Sequence, residues 1–498
     1  MSGFGGHPPG LAALFMTELW ERFSYYGMRA LLVLYMTAPG LSGGYGLATS
    51  DAARIYGNYT MAVYLLAIPG GFIADAYLGA HRAVLIGGLM IACGHYAMAV
   101  HSAATFYLGL VLIALGTGLF KPSISAMVGA LYPTADRTRS GTSPADQPDA
   151  LRDAGFSIFY MGINIGAFIA PLVTGFLAQS GWFKAWLAAR GFDPALSWHW
   201  GFGAAGVGMT VAIVSYLMRR DSLAGIGDRP VVADGAAQRA GLVGVGTLGL
   251  LVLGLASDAP GFGFVRAAFL LAPIAAIAWF ARRPGVNSQQ IAAVFVFFIA
   301  SMVFWAIFEQ AGLSIALFAD RLTANSVVGF AFPSAWFQAL NPLFVIALAP
   351  VMAWAWVRLG AHQPSAPVKF ALGLALLGTS FVLMVPAALL TAAGKVSPLW
   401  LVGLFLLQTI GELCLSPVGL STMTKLAPPG HAGLMLGIWF LASAWGNKLA
   451  GVIGAEFNAE QPRELAWFFL RQALLVAVAT AILIALVPWI KRLMGDAR

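Results

Sequence analysis

Long apolar segments follow one another along almost the whole of this 498-residue chain, and they limit the folds that it can adopt. Hydrophobic residues make up 59% of the sequence and charged residues 10%, whereas soluble proteins have about 25% charged residues. Several segments reach 18 residues, which is long enough for a helix to cross the hydrocarbon core of a bilayer. The sequence therefore predicts an all-α polytopic membrane protein.

Fourteen membrane spans are predicted, and an even number places both termini on one side. Sixteen Lys and Arg residues fall in the loops and tails of that side and six in those of the other, so the positive-inside rule places both termini in the cytoplasm. The net charge of +8 is explained by this topology, and no nucleic-acid partner is expected. The predicted spans are 11–38, 52–78, 82–101, 105–131, 154–180, 199–218, 240–258, 262–281, 290–319, 332–358, 367–392, 398–426, 431–457 and 466–490.

Spans seven and eight differ from the others because their only charges, Asp258 and Arg266, lie at helix ends. We interpret them as a peripheral hairpin, without a role in a central cavity, inserted between two six-helix halves. Six plus two plus six helices is the arrangement of a major facilitator fold, in which the substrate binds between the halves near the membrane midplane. The predicted domains are 1–220, an N-terminal six-helix bundle; 221–285, a cytoplasmic linker with the hairpin; and 286–498, a C-terminal six-helix bundle.

The first span carries four charges, Glu18, Glu21, Arg22 and Arg29. At about 100° per residue, Glu18, Arg22 and Arg29 share one narrow stripe, and Glu21 lies on its flank. Each charge at the bilayer centre costs roughly 2.5–3.5 kcal/mol on the lenient insertion scale. The stripe therefore has to face a polar cavity, and its charges have to pair with each other or with other helices.

The first-span sequence Glu18-x-x-Glu21-Arg22-Phe-x-Tyr25-Tyr26-Gly27 resembles the first-helix signature of the proton-dependent oligopeptide transporters. These transporters form a branch of the major facilitator superfamily. Similar blocks occur in order along nearly the whole chain: Gly70-Gly71-Phe-Ile-Ala-Asp75 with Gly79, Gly116-Thr-Gly118-Leu-Phe-Lys121-Pro122, Phe159-Tyr160-Met-Gly-Ile-Asn164-Ile-Gly166, Phe304-Trp-Ala-Ile-Phe-Glu309-Gln310, Phe337-Gln-Ala-Leu-Asn341-Pro342, Gly411-Glu412-Leu-Cys-Leu-Ser416-Pro417, and Trp439 with Trp445. The resemblance implies proton-coupled symport of di- and tripeptides into the cell by alternating access. It also implies a monomer in the bilayer of the bacterial inner membrane, with the proton as coupling ion and neither a cofactor nor a metal.

The resemblance also assigns roles to charged residues. Glu18, Glu21, Arg22, Lys121 and Glu309 are expected to couple protons to transport. Glu309 is expected to pair with Arg29 in the empty protein and to release it when protonated. Arg29 and Lys121 would then hold the peptide carboxylate, for which the arginine fork is suited. A purely structural ion network on the first helix remains the alternative.

The substrate's other contacts are expected to come from Glu412, which would meet the ammonium group, and from uncharged residues. Amides can bond the peptide backbone, although polar contacts between helices are an alternative role for them. Aromatic rings fit the walls around variable side chains, and packing is their alternative role. The residues in question are Tyr25, Tyr26, Tyr64, Asn164, Asn341, Ser416, Trp439 and Trp445.

Two pairs of charged residues are candidates for gating. Asp75 and Arg82 resemble the superfamily's cytoplasmic loop motif and are expected to form a conformational latch. Arg54 and Asp320 are predicted near the outer face, where they could form a gate pair. Lys448 has no role in the resemblance, and we expect its side chain to snorkel toward the outer face.

The chain departs from its apparent family in two ways. Many relatives have Asn after the Lys-Pro of span four, whereas this chain has Ser123. The second helix also lacks the proton-sensing histidine of animal relatives, since residues 9–80 contain no histidine. Proton binding is therefore expected to fall on carboxylates.

Three other functions are compatible with such a chain. A family member could carry another small solute, such as nitrate or an amino acid. A channel is disfavoured by the acids inside the spans. A membrane-embedded enzyme is disfavoured because the sequence has no H-E-x-x-H, no G-x-S-x-G and no phosphate-binding loop.

Overall fold

The computed structural model describes residues 4–132, 148–228, 230, 236–259, 261, 263–283, 286–428 and 432–495. Apart from one short hairpin, the regular structure of these residues is helical, as the sequence predicts. Two polar stretches between predicted spans, 133–152 and 219–239, were expected to be loops, and most of the first and parts of the second lie outside the described residues. The helices are α1 Gly10–Thr37, α2 Thr49–Ile73, α3 Ala80–Met98, α4 Ala103–Ala130, α5 Pro148–Gln179, α6 Gly181–Ala188, α7 Ser197–Met218, α8 Ala236–Ala256, α9 Gly263–Ala281, α10 Ser288–Phe308, α11 Ser314–Arg321, α12 Leu340–Leu359, α13 Ala366–Leu390, α14 Leu399–Lys425, α15 Ala432–Gly454 and α16 Pro462–Met494.

Two short strands occur between α11 and α12. Strand β1, Ser326–Val327, pairs antiparallel with β2, Phe330–Ala331, so that Ser326 lies opposite Ala331. Their side chains are exposed, and the hairpin contributes nothing to a core.

Eleven helical segments among the described residues are long and apolar enough to cross a membrane. The chain is therefore a multi-pass membrane protein. Helix α1 stays outside this set despite its 28 residues, because every 18-residue stretch of it contains at least three of its four charges. Its length fits a span, and its sequence requires protein rather than lipid on the charged face.

The chain divides into two compact units. The first comprises Met1–Leu31 and Leu66–Thr247, and the second Leu32–Leu65 and Leu248–Arg498. In the first unit, α3 packs along α4 and α7, and α5 packs along α7. In the second, α13 packs along α14 and α16, and α10 along α15. The predicted three-part division, which keeps 32–65 in an N-terminal bundle, stays a prediction.

Predicted span nine, 290–319, is not one continuous helix. It is interrupted by a 3₁₀ turn, Glu309–Gly312, between α10 and α11. The Gln310 side chain donates to the Ala450 carbonyl (2.9 Å) and accepts from the Ser314 hydroxyl (2.8 Å). A Cβ at Gly312 would collide with the Tyr56 hydroxyl, so only glycine fits against that ring. Side-chain bonds and this close approach stabilise the break, which apolar periodicity does not predict.

Candidate functional site

The charged residues of α1 form a buried cluster around Arg22. The guanidinium contacts both carboxylate oxygens of Glu21, with an Nη2–Oε1 distance of 2.6 Å, and its Nε lies 3.2 Å from Oε1 of Glu18. Glu18, Glu21 and Arg22 are 2%, 0% and 4% exposed. Oε2 of Glu18 has no hydrogen-bond partner among the described residues. Glu21 is therefore held in a two-point fork, whereas Glu18 keeps an oxygen that can still take a proton or a partner.

Helix α5 comes close to this cluster because Gly166 has no side chain. A Cβ at Gly166 would lie 3.1 Å from the Cβ of Arg22 and would overlap the Leu19 carbonyl. Further along the two helices, the Thr174 hydroxyl donates to the Gly27 carbonyl (3.1 Å). The small residues of α5 thus place the charged stripe of α1 against protein instead of lipid.

Lys121 extends the cluster from α4. It lies within electrostatic range of Glu18, Glu21, Arg22 and Arg29, which joins it to the predicted proton-coupling residues of the first unit. The next residue, Pro122, has no backbone N–H, so the helix lacks one bond beside the lysine. Of the predicted proton-coupling residues, the structure brings four together, and Glu309 lies in the other unit.

Tyrosine rings cover the two arginines of α1. The Arg22 guanidinium lies 5.2 Å from the ring centre of Tyr25, and that of Arg29 lies 5.9 Å from the ring centre of Tyr26. The two rings pack edge to face at 5.3 Å. Cation–π contacts stabilise charges that have lost water. Tyr25 and Tyr26 are therefore positioned to order the arginines as well as to line a cavity.

Two polar residues of the first unit bond to their own helices. The Asn164 amide donates to the Tyr160 carbonyl (2.9 Å), and the Ser123 hydroxyl donates to the Leu119 carbonyl (2.7 Å). Ser123 thus uses its hydroxyl hydrogen locally. The roles predicted for Asn164 in peptide binding stay predictions.

The second unit contains the other predicted acids. Glu309 is 3% exposed and begins the 3₁₀ turn between α10 and α11. The Asn341 amide of α12 donates to Oε2 of Glu412 (2.9 Å) and to the Thr409 hydroxyl (3.1 Å), both on α14. Glu412 and Glu309 lie within electrostatic range of each other. Thr409 is a member of this site that the sequence analysis missed, although its position one turn before Glu412 was a usable signal.

Ser416 lies one turn after Glu412 and is followed by Pro417. Its hydroxyl is buried without a hydrogen-bond partner among the described residues. The proline removes a backbone donor at the same level of α14. This part of α14 therefore presents a carboxylate and an unsatisfied hydroxyl side by side.

The aromatic residues assigned to the second unit differ in environment. Trp439 is 4% exposed and packs edge-on against Phe370 at 6.2 Å. Trp445 is fully buried and stacks on Phe269 of α9, with 4.4 Å between ring centres and 3° between ring planes. The prediction that Trp445 lines a substrate cavity stays a prediction; in this structure its ring face and its N–H both contact Phe269 of α9. Tyr64 is half-buried and packs against the same cluster.

The predicted gating residues are all exposed. Asp75 lies in the turn Ala74–Leu78, and Arg82 lies in the first turn of α3. Arg54 pairs with Asp51 (2.7 Å), and Asp320 accepts a hydrogen bond from Ser334 (2.7 Å). The latch and the outer gate pair stay predictions.

Lys448 does not snorkel as predicted. It is 4% exposed, and its Nζ lies 2.6 Å from Oδ1 of Asn58 and 2.7 Å from Oδ2 of Asp258. The sequence analysis treated Asp258 as a helix-end charge and overlooked Asn58. The unassigned lysine inside an apolar span was the one signal in the sequence, since such a charge requires a partner.

Among the described residues, no cluster of three or more His, Cys, Asp or Glu side chains could hold a metal ion. The groups that the sites offer are buried carboxylates, which can exchange protons, and cations, which can pair with anions. Buried acids occur in both units, Glu18 and Glu21 in the first and Glu309 and Glu412 in the second, whereas the cations Arg29 and Lys121 lie in the first.

Comparison with known proteins gives a consistent result over the whole chain. A profile of the POT family matches residues 81–223 and 259–467. The peptide transporter YePEPT of Yersinia enterocolitica is 39% identical over 99% of this chain and 96% of its own length, and a di-/tripeptide transporter of Lactococcus lactis subsp. cremoris is 37% identical over 99% and 98%. A crystal structure of a mutant of the peptide transporter POT in complex with alafosfalin aligns with a TM-score of 0.84, at 39% identity over 99% of this chain and 97% of that one.

Proposed function

This chain belongs to the POT family, and we propose that it carries di- and tripeptides into a bacterial cell together with protons. It is a peptide transporter and not an enzyme. We assign it the major facilitator arrangement of fourteen transmembrane helices with both termini in the cytoplasm of the inner membrane. In this arrangement it acts as a monomer by alternating access, and the proton is its coupling ion.

The buried cluster on α1 is the observation that carries the proposal. Three charges are almost completely removed from solvent in the interior of an apolar helix, and one carboxylate oxygen of Glu18 has no partner among the described residues. Buried ion pairs add little net stability, so a cluster of this kind is better explained by a function. Protonation of Glu18 or Glu21 would weaken the hold on Arg22 and make cations available to a substrate carboxylate.

The second unit supplies the complementary group for a peptide. The Asn341 amide and the Thr409 hydroxyl hold Glu412 in place, and a substrate ammonium would meet its carboxylate beside the Ser416 hydroxyl. Arg29 and Lys121 would hold the opposite end of the zwitterion. Such a division favours a molecule whose two charges are separated by at least one peptide unit over nitrate, which carries a single charge.

Coupling in this scheme depends on Glu309. We propose that it pairs with Arg29 in the empty protein and that protonation or peptide binding releases the pair. Glu412 lies within electrostatic range of Glu309, so the two acids belong to one site of the second unit. The exposed residues Asp75 and Arg82 form the cytoplasmic latch in this proposal.

Transport by reconstituted protein tests the proposal. Liposomes with an imposed inward proton gradient should accumulate labelled dialanine, and unlabelled di- and tripeptides should compete, whereas amino acids and nitrate should not. Competition by nitrate alone would identify another solute carrier.

Glu21→Gln keeps the shape of the side chain but removes its titration. We expect it to abolish gradient-driven accumulation while counterflow exchange of peptide continues. Glu460→Gln, a change of an exposed acid, is the matched control and should accumulate normally. Wild-type accumulation by Glu21→Gln would show that the α1 cluster is structural.

A further inference from the structure

Three helical elements of the second unit meet at one buried polar cluster. Lys448 of α15 donates to the side chains of Asn58 of α2 (2.6 Å) and Asp258 in the turn between α8 and α9 (2.7 Å). The Asn58 amide also donates to Oδ2 of Asp258 (2.8 Å). The side chains of Lys448 and Asp258 are 5% and 18% exposed. Asn58 thus accepts from the cation and donates to the anion, which closes the cluster.

A second contact joins the α8–α9 hairpin to α15. Pro273 of α9 has no N–H, so the Phe269 carbonyl one turn earlier loses its helical partner. The Trp445 indole N–H donates to that carbonyl (3.1 Å), and the Trp445 ring stacks on the Phe269 ring. An unpaired carbonyl is costly inside a membrane protein. The Trp445 bond removes that cost only while α9 is packed on α15, so it stabilises this packing.

The α2 and α15 backbones cross closely at the same level. A Cβ at Gly57 would lie 2.8 Å from the Gly451 Cα, and a Cβ at Gly451 would lie 2.7 Å from the Ala53 carbonyl. Next to this crossing, Met61 and Leu65 of α2 pack with Phe269 and Trp445. The close crossing explains why residues 32–65 belong to the second unit.

We propose that the α8–α9 hairpin is a latch on the outer gate, which holds α2 against α15 and releases α2 in every transport cycle. This inference rests on the proposed topology, in which these helix ends face outward, and on alternating access, in which α2 and α15 belong to halves that separate. The hairpin has been interpreted from its sequence as peripheral. Its contacts instead make it a determinant of how easily the outer side opens.

The cluster also indicates which contact breaks. The hairpin has a charged and an indole contact to α15, whereas its polar contact to α2 is the neutral Asn58 amide. If α2 departs, the pair of Lys448 and Asp258 remains intact, and no buried charge loses its counter-ion. The hairpin therefore moves with α15, and Asn58 is the group that is released.

Outer opening can be followed with one cysteine. Ala53 is 1% exposed at the crossing, and the two native cysteines, Cys93 and Cys414, can be changed to Ala to give a background without thiols. In right-side-out vesicles without peptide, a membrane-impermeant maleimide should label Ala53→Cys slowly. Adding Asn58→Ala should raise the labelling rate by about tenfold or more, the population shift expected when hydrogen bonds to two charged groups are lost. An unchanged rate would overturn the proposal.

Exchanging the charges of Asp258 and Lys448 distinguishes loss of their ion pair from a general disturbance of the fold. Asp258→Asn should increase labelling, and Asp258→Lys combined with Lys448→Asp should return it toward the parent rate. Glu456→Gln breaks an exposed ion pair with Arg471 (2.9 Å) near the end of α15 and should change nothing. A charge-exchange variant that folds and labels as fast as Asp258→Asn, or a Glu456→Gln variant that labels equally fast, would contradict the latch.

Cross-linking tests which partner the hairpin follows. Leu270 of α9 and Leu441 of α15 pack against the same cluster, as do Met61 of α2 and Ala444 of α15. Joining cysteines at Leu270 and Leu441 with a short bis-maleimide should leave peptide exchange intact, whereas joining Met61 and Ala444 should stop it. The reverse result would refute motion of the hairpin with α15. Labelling needs no substrate, so failure of the parent protein to carry peptides would count against the proposed function and not against the latch.

Discussion

Replacing Trp445 by Phe removes the indole N–H together with part of a fully buried ring system. The phenyl ring can keep the stack on Phe269, but the Phe269 carbonyl, already deprived of a helical donor by Pro273, then has no donor at all. Leaving a buried acceptor unsatisfied costs about 1–3 kcal/mol. We expect Trp445→Phe to lower the free energy of unfolding by at least that amount, because the smaller ring also leaves a cavity.

A second substitution, combined with the first in a double-mutant cycle, isolates the contribution of this hydrogen bond. Pro273→Ala restores an N–H that can bond the Phe269 carbonyl within α9, so the indole is no longer its only source of a donor. Trp445→Phe should therefore cost about 1–2 kcal/mol less in the Pro273→Ala background than in the parent. Size-exclusion chromatography of each purified variant checks that it is folded.

The assay is a titration of purified protein in mixed micelles with sodium dodecyl sulfate, followed by tryptophan fluorescence and circular dichroism. Trp467→Phe is the matched control, since Trp467 is 53% exposed on α16 and should cost little. Equal costs of Trp445→Phe in the two backgrounds would refute the reasoning, because the carbonyl would then not be the group that the indole serves.

Two further predictions concern the charged sites. Glu412→Ala should bind dialanine and its N-acetyl derivative equally well in competition assays. The parent protein should bind the derivative about tenfold or more weakly, because the buried Glu412 carboxylate then lacks a partner. If the variant still discriminates, the ammonium group is bound by another residue. Gly166→Val should reduce the yield of folded protein, because the new Cβ would overlap the Leu19 carbonyl. Gly181→Val, at a position with open space around it, is the control and should not reduce the yield. Equal yields of the two variants on size-exclusion chromatography would exclude tight packing of α5 on α1.

The sequence was sufficient for the helical fold and for much of the α1 cluster. Periodicity alone puts Glu18 and Arg22 on one stripe, and the cost of a charge in lipid makes pairing necessary. The contact of Glu412 with Asn341 could not be predicted, because a charge reveals its need for a partner and not the identity of that partner. The break after Phe308 was missed for a related reason, since it depends on Gln310 and Tyr56 rather than on local propensity.

Trp445 and Lys448 show the same limit more clearly. Both were interpreted singly, one as a cavity wall and the other as a snorkelling cation. Their roles follow from Pro273 and Asp258, which lie more than 170 residues away in the chain. A proline in an apolar helix indicates that the carbonyl one turn earlier lacks its helical donor. Which other helix supplies a donor is known only from the tertiary structure.

The charge content of α1 has a consequence for biogenesis. This helix is synthesised before α4 and α5, yet its four charges oppose release into lipid by roughly 2.5–3.5 kcal/mol each until neighbours cover them. Lys121 and Gly166, which complete its surroundings, are synthesised only with α4 and α5. We therefore expect α1 to wait beside the insertion machinery until Gly166 has been synthesised, and glycosylation-site fusions cut after residue 48 to insert poorly compared with fusions cut after residue 180. The charged residues to which we assign a role in transport would thus also set the order in which the helices enter the bilayer.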